Sequence, residues 1–133
     1  MLKKRIAKVI IERAEGPIEY CKRMEFPTLV EAQVQAYIWG GTAPDKGHGY
    51  DKCDFELVFE DGQSYKGRYD LVKGGLNDDG KTIQGQVIQF LSYTAGSYHP
   101  AWMKDDLWQS TCEDNEKSGE AQFAREFLEA YEI

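Results

Sequence analysis

The sequence has few of the residues on which reactive or metal-binding sites are built. Its 133 residues include only three cysteines and two histidines. The cysteines, Cys21, Cys53 and Cys112, are odd in number and widely separated, which argues against a disulfide framework and against a CxxC metal site. No apolar run reaches the roughly 18–20 residues of a membrane-spanning helix. These absences favour a protein with reduced thiols and no membrane association.

The N-terminal residues also lack the features of a secretion signal. Basic residues precede a short apolar run, as in a signal peptide, but Lys8 interrupts that run. Charged residues, among them Glu12 and Arg13, then stand where small residues should mark a cleavage site. The chain is therefore expected to be cytoplasmic.

Motifs for phosphate, cofactor or metal binding are missing as well. The pairs Gly40-Gly41 and Gly74-Gly75 open neither a GxGxxG nor a GxxxxGK loop. Asp45, His48 and Asp51 could in principle ligate a metal, but their spacing matches no established motif. We therefore expect no cofactor and no metal.

Acidic residues, by contrast, are concentrated at the C-terminal end. Residues 1–104 carry equal numbers of basic and acidic side chains, whereas residues 105–133 carry nine acids against Lys117 and Arg125. This segment accounts for the whole net charge of −7. Such a segment repels nucleic-acid phosphates and attracts a basic protein surface, although it can also serve solubility alone.

The hydrophobic pattern predicts an α+β fold in a single domain spanning residues 1–133. An antiparallel sheet of about three strands is expected at residues 2–14, 51–60 and 63–72, from β-branched residues and period-two alternation. Helices are expected at residues 28–39, 83–95 and 118–131, packed on one face of the sheet.

For the first and last of these helices, the sequence also predicts which side chains face the core. Thr28 and Glu31 form a capping box at the start of the first helix, and Gly40-Gly41 should end it. Its predicted core face consists of Val30, Val34, Tyr37 and Ile38. In the last helix, the predicted core face consists of Phe123, Phe127, Leu128 and Tyr131.

Residues 53–71 alternate between apolar and polar side chains, so two strands joined by a tight turn are expected. Odd-numbered positions are apolar in both strands, which requires a loop that pairs odd positions with odd positions. A three-residue loop, Glu60-Asp61-Gly62 with Gly62 left-handed, meets this requirement and sets Phe55 against Gly67. Charged side chains then share the opposite face: Lys52, Asp54, Glu56, Lys66, Arg68 and Asp70.

A family resemblance is concentrated in residues 49–71. The pattern is Gly49-Tyr50-Asp51-Lys52-x-Asp54-Phe55, followed by Phe59-x-Asp61-Gly62-x-x-Tyr65-x-Gly67-Arg68-x-Asp70-Leu71. It resembles one of the large polyvalent protein-associated domains, number 25 in that series. Those domains are modules of giant multidomain proteins of phages and conjugative plasmids. The resemblance implies a mobile-element setting rather than a particular reaction.

The leading hypothesis is a non-enzymatic accessory protein of a mobile genetic element that acts through protein–protein contact. One specific form is an inhibitor whose acidic face occupies the nucleic-acid channel of a host defence complex. The expected partner is a protein with a basic surface, and no oligomeric state is predicted. The candidate binding residues are Tyr50, Asp51, Lys52, Asp54, Arg68, Asp70, Glu120, Glu126 and Glu129.

Two alternatives stay open. The first is a small enzyme that uses residues 45–54, where His48 could activate Cys53, although Cys53 shares the inward parity of Phe55. The second is a weak nucleic-acid-binding module. Its candidate patches are Lys3, Lys4, Arg5 and Lys8 near the N-terminus, and Tyr65, Lys66, Arg68 and Tyr69 in the hairpin.

Overall fold

A computed structural model of the protein describes residues 2–13, 22–42, 52–71 and 82–133. These ranges contain four strands and four helices in the order β1 (Ile6–Arg13), β2 (Lys22–Phe26), α1 (Leu29–Thr42), β3 (Lys52–Phe59), β4 (Ser64–Asp70), α2 (Ile83–Ala95), α3 (Asp105–Ser118) and α4 (Glu120–Ala130). The strands form an antiparallel sheet in the order β2-β1-β3-β4. The predicted α+β class is confirmed.

The sheet has one strand more than expected. β2 pairs with β1 along its whole length, from Val9 opposite Phe26 to Arg13 opposite Lys22. Its five residues include only two large apolar side chains, Met24 and Phe26, among three charged ones. A strand this short and polar gives a weak alternation signal, and its edge position is where charged side chains are tolerated.

The core lies on the face of the sheet that carries the odd-numbered side chains of β1, β3 and β4. From the strands it takes Val9, Ile11, Cys53, Phe55, Leu57, Phe59 and Tyr69. From the helices it takes Ala32, Ala36, Trp39, Ile83, Val87, Leu91, Ala95, Ala124 and Phe127. Complete burial of one large aliphatic or aromatic side chain stabilises the fold by about 1.5–3 kcal/mol, so this cluster is the main source of stability.

The β3–β4 hairpin has the predicted turn and register. Gly62 has a φ of 89°. The Phe59 N–H donates to the Gln63 carbonyl at 2.8 Å, and the Gly62 N–H donates to the Phe59 carbonyl at 2.9 Å. Phe55 faces Gly67. The odd-numbered side chains of both strands therefore share the core side, as the parity requires.

The first helix begins as predicted but turns a different face to the core. The Glu31 N–H donates to the Thr28 hydroxyl at 3.3 Å, which confirms the N-cap. The predicted core face is wrong for Val30, Val34 and Ile38, which are exposed. The buried side chains of this helix are Ala32, Gln33, Ala36 and Trp39. Small alanines let the helix approach the sheet closely, which the larger valines would prevent.

Gly40-Gly41 does not end this helix, which continues to Thr42. A Cβ atom at Gly40 would lie 2.4 Å from the carbonyl oxygen of Leu71. Gly40 is therefore needed inside the helix for close contact with the end of β4, rather than as a terminator.

The C-terminal helices are delimited by capping residues. Thr82 caps α2 by accepting a hydrogen bond from the Gly85 N–H at 2.9 Å, and Gly96 ends it with a φ of 86°. Gly119, with a φ of 84°, separates α3 from α4, so the last helix begins at Glu120 rather than at Ser118. None of the helices in the described ranges is long and apolar enough to cross a membrane.

Candidate functional site

Four of the predicted binding residues lie together on the open face of the sheet, opposite the core. Lys52 faces Asp70 and Asp54 faces Arg68 across the β3–β4 pair. The Arg68 Nε donates to Asp54 Oδ1 at 3.1 Å, with both side chains about half exposed. An exposed pair of this kind contributes about 0–1 kcal/mol to stability.

The open face as a whole is a balanced mosaic of charges. A shallow cavity of about 540 Å³ lies over it, with Ile10 among its lining residues. Ion pairs cross the strands, including Lys8 with Glu25 at 3.4 Å and Arg23 with Glu12 at 4.0 Å. Side chains of opposite sign neutralise one another here, so this face offers no strong field of either sign.

The hairpin patch proposed for nucleic acid does not form one surface. Lys66 and Arg68 project from the open face, whereas Tyr69 is fully buried on the core side and Tyr65 is half-buried. Binding of single-stranded nucleic acid uses aromatic rings exposed beside basic residues. Alternation along β4 places these rings and charges on opposite sides of the sheet.

Cys53 is confirmed to point into the core, with 2% of its surface exposed. Burial raises the pKa of its thiol to about 12, with the charge of Asp54 adding to the rise and that of Arg13 opposing it. Since the thiolate is the nucleophilic form, this cysteine is inert at neutral pH. The other residues proposed for the 45–54 loop, Asp45, His48, Tyr50 and Asp51, lie outside the described residues.

Across residues 2–13, 22–42, 52–71 and 82–133, no three His, Cys, Asp or Glu side chains are close enough together to hold a metal ion.

The acidic segment folds into α3 and α4, and one of its two basic residues, Arg125, forms hydrogen bonds within the protein. Arg125 donates to both carboxylate oxygens of Glu116, at 2.8 and 3.2 Å, and to the carbonyl of Ala95 at 3.0 Å. The hydrogen bonding between Arg125 and Glu116 lowers the pKa of Glu116 and raises that of Arg125. Through these hydrogen bonds, Arg125 connects α4 to α3 and to the end of α2.

The three predicted acidic binding residues, Glu120, Glu126 and Glu129, are all exposed on α4. Within the described part of the chain none of them forms an ion pair, although Glu126 accepts a hydrogen bond from Gln122 at 2.9 Å. Their negative charges remain available to a partner.

Between these acids stands Phe123, whose side chain was expected in the core. It is 61% exposed, whereas Phe127, one turn further on, is buried. Phe123 lies three residues after Glu120 and three before Glu126, so the ring is close to both carboxylates on the helix surface. We call Glu120, Phe123, Glu126 and Glu129 the acidic helix surface.

The acidic helix surface adjoins the tip of the β3–β4 hairpin. Phe123 and Glu126 line a cavity of about 440 Å³ together with Lys4, Asp61 and Tyr131. Asp61 accepts hydrogen bonds from Tyr131 Oη at 2.6 Å and from Lys4 Nζ at 3.1 Å. The Tyr131 hydrogen bond is the main cause of a lowered Asp61 pKa. These contacts hold α4 in place beside the hairpin.

Comparison with known proteins provides no assignment, since no family model, no curated protein and no solved structure matches this chain.

Proposed function

We propose that this protein is a cytoplasmic, non-enzymatic accessory protein that acts by binding another protein through the acidic helix surface. The single observation that carries the proposal is the exposure of Phe123 among three carboxylates without ion pairs in the described residues. Large aromatic side chains are frequent anchors of protein interfaces, and surrounding charges select the partner.

The partner in this proposal has a basic surface. Residues 105–133 carry seven more acidic than basic side chains. Arg125 is already paired with Glu116, so it does not neutralise the other carboxylates, and the segment keeps its excess of negative charge. A basic surface with an apolar recess would match both the carboxylates and the ring of Phe123. Nucleic-acid-binding proteins present basic channels of this kind.

A more specific form of the proposal is inhibition of a host nucleic-acid-binding defence complex. In that form, α4 occupies the channel that otherwise holds a nucleic-acid backbone, with carboxylates in place of phosphates. The mobile-element setting rests on the resemblance in residues 49–71 alone, whereas the proposed contact rests on the charge and exposure of α4.

Affinity capture from a bacterial lysate tests this proposal. The immobilised protein is compared with Phe123→Ala and with a triple variant, Glu120→Gln, Glu126→Gln and Glu129→Gln, at low and high salt. We expect the wild type to capture a specific basic protein, the triple variant to lose it, and high salt to weaken capture. Phe123→Ala should weaken capture about fivefold or more, the loss expected for an interface anchor.

A matched triple variant on α3 serves as the control. Asp106→Asn, Glu113→Gln and Asp114→Asn remove the same number of charges from neighbouring exposed positions. This control should retain most of the capture, and all variants should keep the melting temperature of the wild type. If the two triple variants lost capture equally, or if no substitution on α4 reduced capture, the acidic helix surface would not be the binding site.

A further inference from the structure

In the ranges that the structure describes, β4 has no further strand on its outer edge beside α2, and this edge suggests a second binding site, distinct from the acidic helix surface. β4 is an edge strand in the order β2-β1-β3-β4. The hydrogen bond from Phe59 to Gln63 and the register fix the odd-numbered residues of β4 as those that pair with β3. Opposite residues of an antiparallel pair alternate in hydrogen bonding, so the even-numbered residues direct their N–H and C=O groups outward.

The outward main-chain groups are partly used and partly free. Gln86 on α2 donates from Nε2 to the carbonyl of Arg68 at 2.7 Å, which confirms the outward direction of that carbonyl. Among the described residues, no group accepts from the Lys66 N–H or donates to its carbonyl. A polar pair of this kind at a strand edge is the template to which another extended chain adds.

Beside this edge lies an apolar groove with exposed aromatic side chains. A cavity of about 270 Å³ lies between β4 and α2, against Lys66, Gly67 and Phe90. Through Gln86 and Phe90 it continues into a second cavity of about 390 Å³ that reaches Trp102. Phe90 is 58% exposed and Trp102 is 77% exposed.

We propose that this groove binds an extended peptide segment of a partner protein, which adds to β4 as a further strand. The Lys66 main chain would hydrogen-bond the peptide backbone. Alternate peptide side chains would point to the core side of the sheet, where an aromatic or aliphatic residue would contact Phe90 and Trp102. The intervening side chains would lie on the open face beside Lys66.

Charge specifies the chemistry of those intervening residues. Lys66 faces Glu56 across the β3–β4 pair, but no ion pair joins these two side chains in the described residues, so the ammonium group can contact an acidic residue of the added strand. An acidic residue directly opposite a basic one on a neighbouring strand is favourable. The peptide is therefore one in which acidic and apolar residues alternate.

The same charges argue against a second copy of this chain as the occupant. If two β4 strands paired antiparallel about residues 66–68, Lys66 would face the Lys66 or Arg68 of the other copy. Like charges directly opposite on paired strands are destabilising. A foreign acidic-apolar peptide meets no such repulsion.

A random library of twelve-residue peptides displayed on phage, selected against the full chain, tests the proposal. We expect enriched peptides in which acidic and apolar residues alternate. An end-blocked synthetic copy of the most enriched peptide then serves as the probe in titrations. Failure to enrich such a pattern would overturn the proposal.

Three variants distinguish strand addition from other modes of binding. Lys66→Pro removes the outward N–H and should abolish probe binding. The variant should still fold, because β3 does not use this N–H and proline is tolerated at such edge positions. Phe90→Ala should weaken the affinity for the probe about fivefold or more, as loss of an aromatic anchor does. Phe123→Ala should leave the probe affinity unchanged, which separates this site from the acidic helix surface.

Amide hydrogen exchange provides a direct readout of the added strand. The Lys66 amide should exchange fast in the free protein and slowly with the probe bound, because the peptide backbone then accepts its hydrogen bond. An unchanged Lys66 exchange rate, or full probe binding by Lys66→Pro, would contradict strand addition. A concentration-dependent dimer that Lys66→Pro dissolves would instead identify a second copy as the occupant and overturn the proposal.

Discussion

At Gly67 the hairpin backbone lies so close to the ring of Phe55 that a larger residue does not fit. A Cβ atom at this position would lie 2.5 Å from Cζ of Phe55, a buried ring held by its neighbours on all sides. Gly67→Ala should therefore lower the free energy of unfolding by about 1–3 kcal/mol, the usual cost of overpacking a core. Urea denaturation measures this change.

Lys66→Ala is the matched control for that substitution. It changes the adjacent residue, whose side chain is exposed on the opposite face of the strand. Its effect should stay within about 0.5 kcal/mol. If the two substitutions cost the same, the close contact of Gly67 with Phe55 does not constrain the hairpin.

Asp61, at the tip of the β3–β4 hairpin, accepts hydrogen bonds from Lys4 and Tyr131, so its ionisation should affect the stability of the fold. Its pKa is lowered from the ordinary value of an aspartate, chiefly by the hydrogen bond from Tyr131 and also by those from Gln63 and Lys4. A carboxyl whose folded pKa lies below its unfolded value contributes stability above the unfolded pKa. This contribution is lost as the pH falls through the folded pKa.

Tyr131→Phe removes the largest cause of that shift and keeps the ring packed against Phe59 and Phe127. We expect the Asp61 pKa to rise toward its usual value and stability at neutral pH to fall. An NMR titration of the Asp61 carboxyl measures the first effect, and urea denaturation the second. An unchanged Asp61 pKa in the variant would mean that the 2.6 Å contact does not control it.

At the scale of elements, α1 shows where the sequence pattern is ambiguous. The helix is apolar nearly all round: Val30 is 74% exposed, while Ala36 on the other side is fully buried. Val34→Gln should therefore change the free energy of unfolding by less than about 0.5 kcal/mol. Ala36→Gln should cost about 2 kcal/mol or more, because it forces a larger polar side chain into the core.

Chemical denaturation of the two α1 variants measures the orientation of the helix. Glutamine is introduced on both faces of the helix, and the difference in helix propensity between the replaced valine and alanine, about 0.5 kcal/mol, is small beside the effect of burial. The reverse order of stabilities would mean that Val34, rather than Ala36, faces the sheet.

The success of the sequence prediction differed between elements for physical reasons. The hairpin could be predicted in detail because period-two alternation and the need to pair odd with odd positions leave few registers for Phe55 and Gly67. The orientation of α1 could not, because both of its faces are apolar and contact with the sheet selects the smaller alanines. β2 was missed because its charged side chains suit a sheet edge as well as a loop.

For the candidate binding residues, exposure to solvent could be predicted in part. The exposed acids Glu120, Glu126 and Glu129 followed from charge, since carboxylates without partners stay in water. Phe123 did not, because its spacing of four from Phe127 is also that of a core face. The way α4 lies against the hairpin decides which of the two rings is buried, and local sequence does not specify that packing.

At the scale of the whole molecule, the distribution of charge is uneven. The open face of the sheet pairs opposite charges across its strands, whereas residues 105–133 carry a surplus of acids equal to the net charge of −7. Long-range attraction of a basic partner would therefore be directed to α3 and α4. The groove beside β4 would contribute a separate contact governed by main-chain hydrogen bonding.

This uneven charge predicts how affinity depends on salt. For the captured basic protein, the dissociation constant of the wild type should rise with ionic strength, because salt screens exposed charges over about 8–10 Å. The triple α4 variant should bind weakly at every salt concentration, since its carboxylates are gone. The α3 control variant should keep most of the affinity of the wild type.

The most direct test of the account is the dissociation constant of that captured protein for Phe123→Ala, measured by calorimetry beside the wild type. We predict a loss of affinity of about fivefold or more, with an unchanged melting temperature, because the ring is exposed in the free protein and buried in the complex. Equal affinity of the two proteins would contradict the assignment of the acidic helix surface as the binding site.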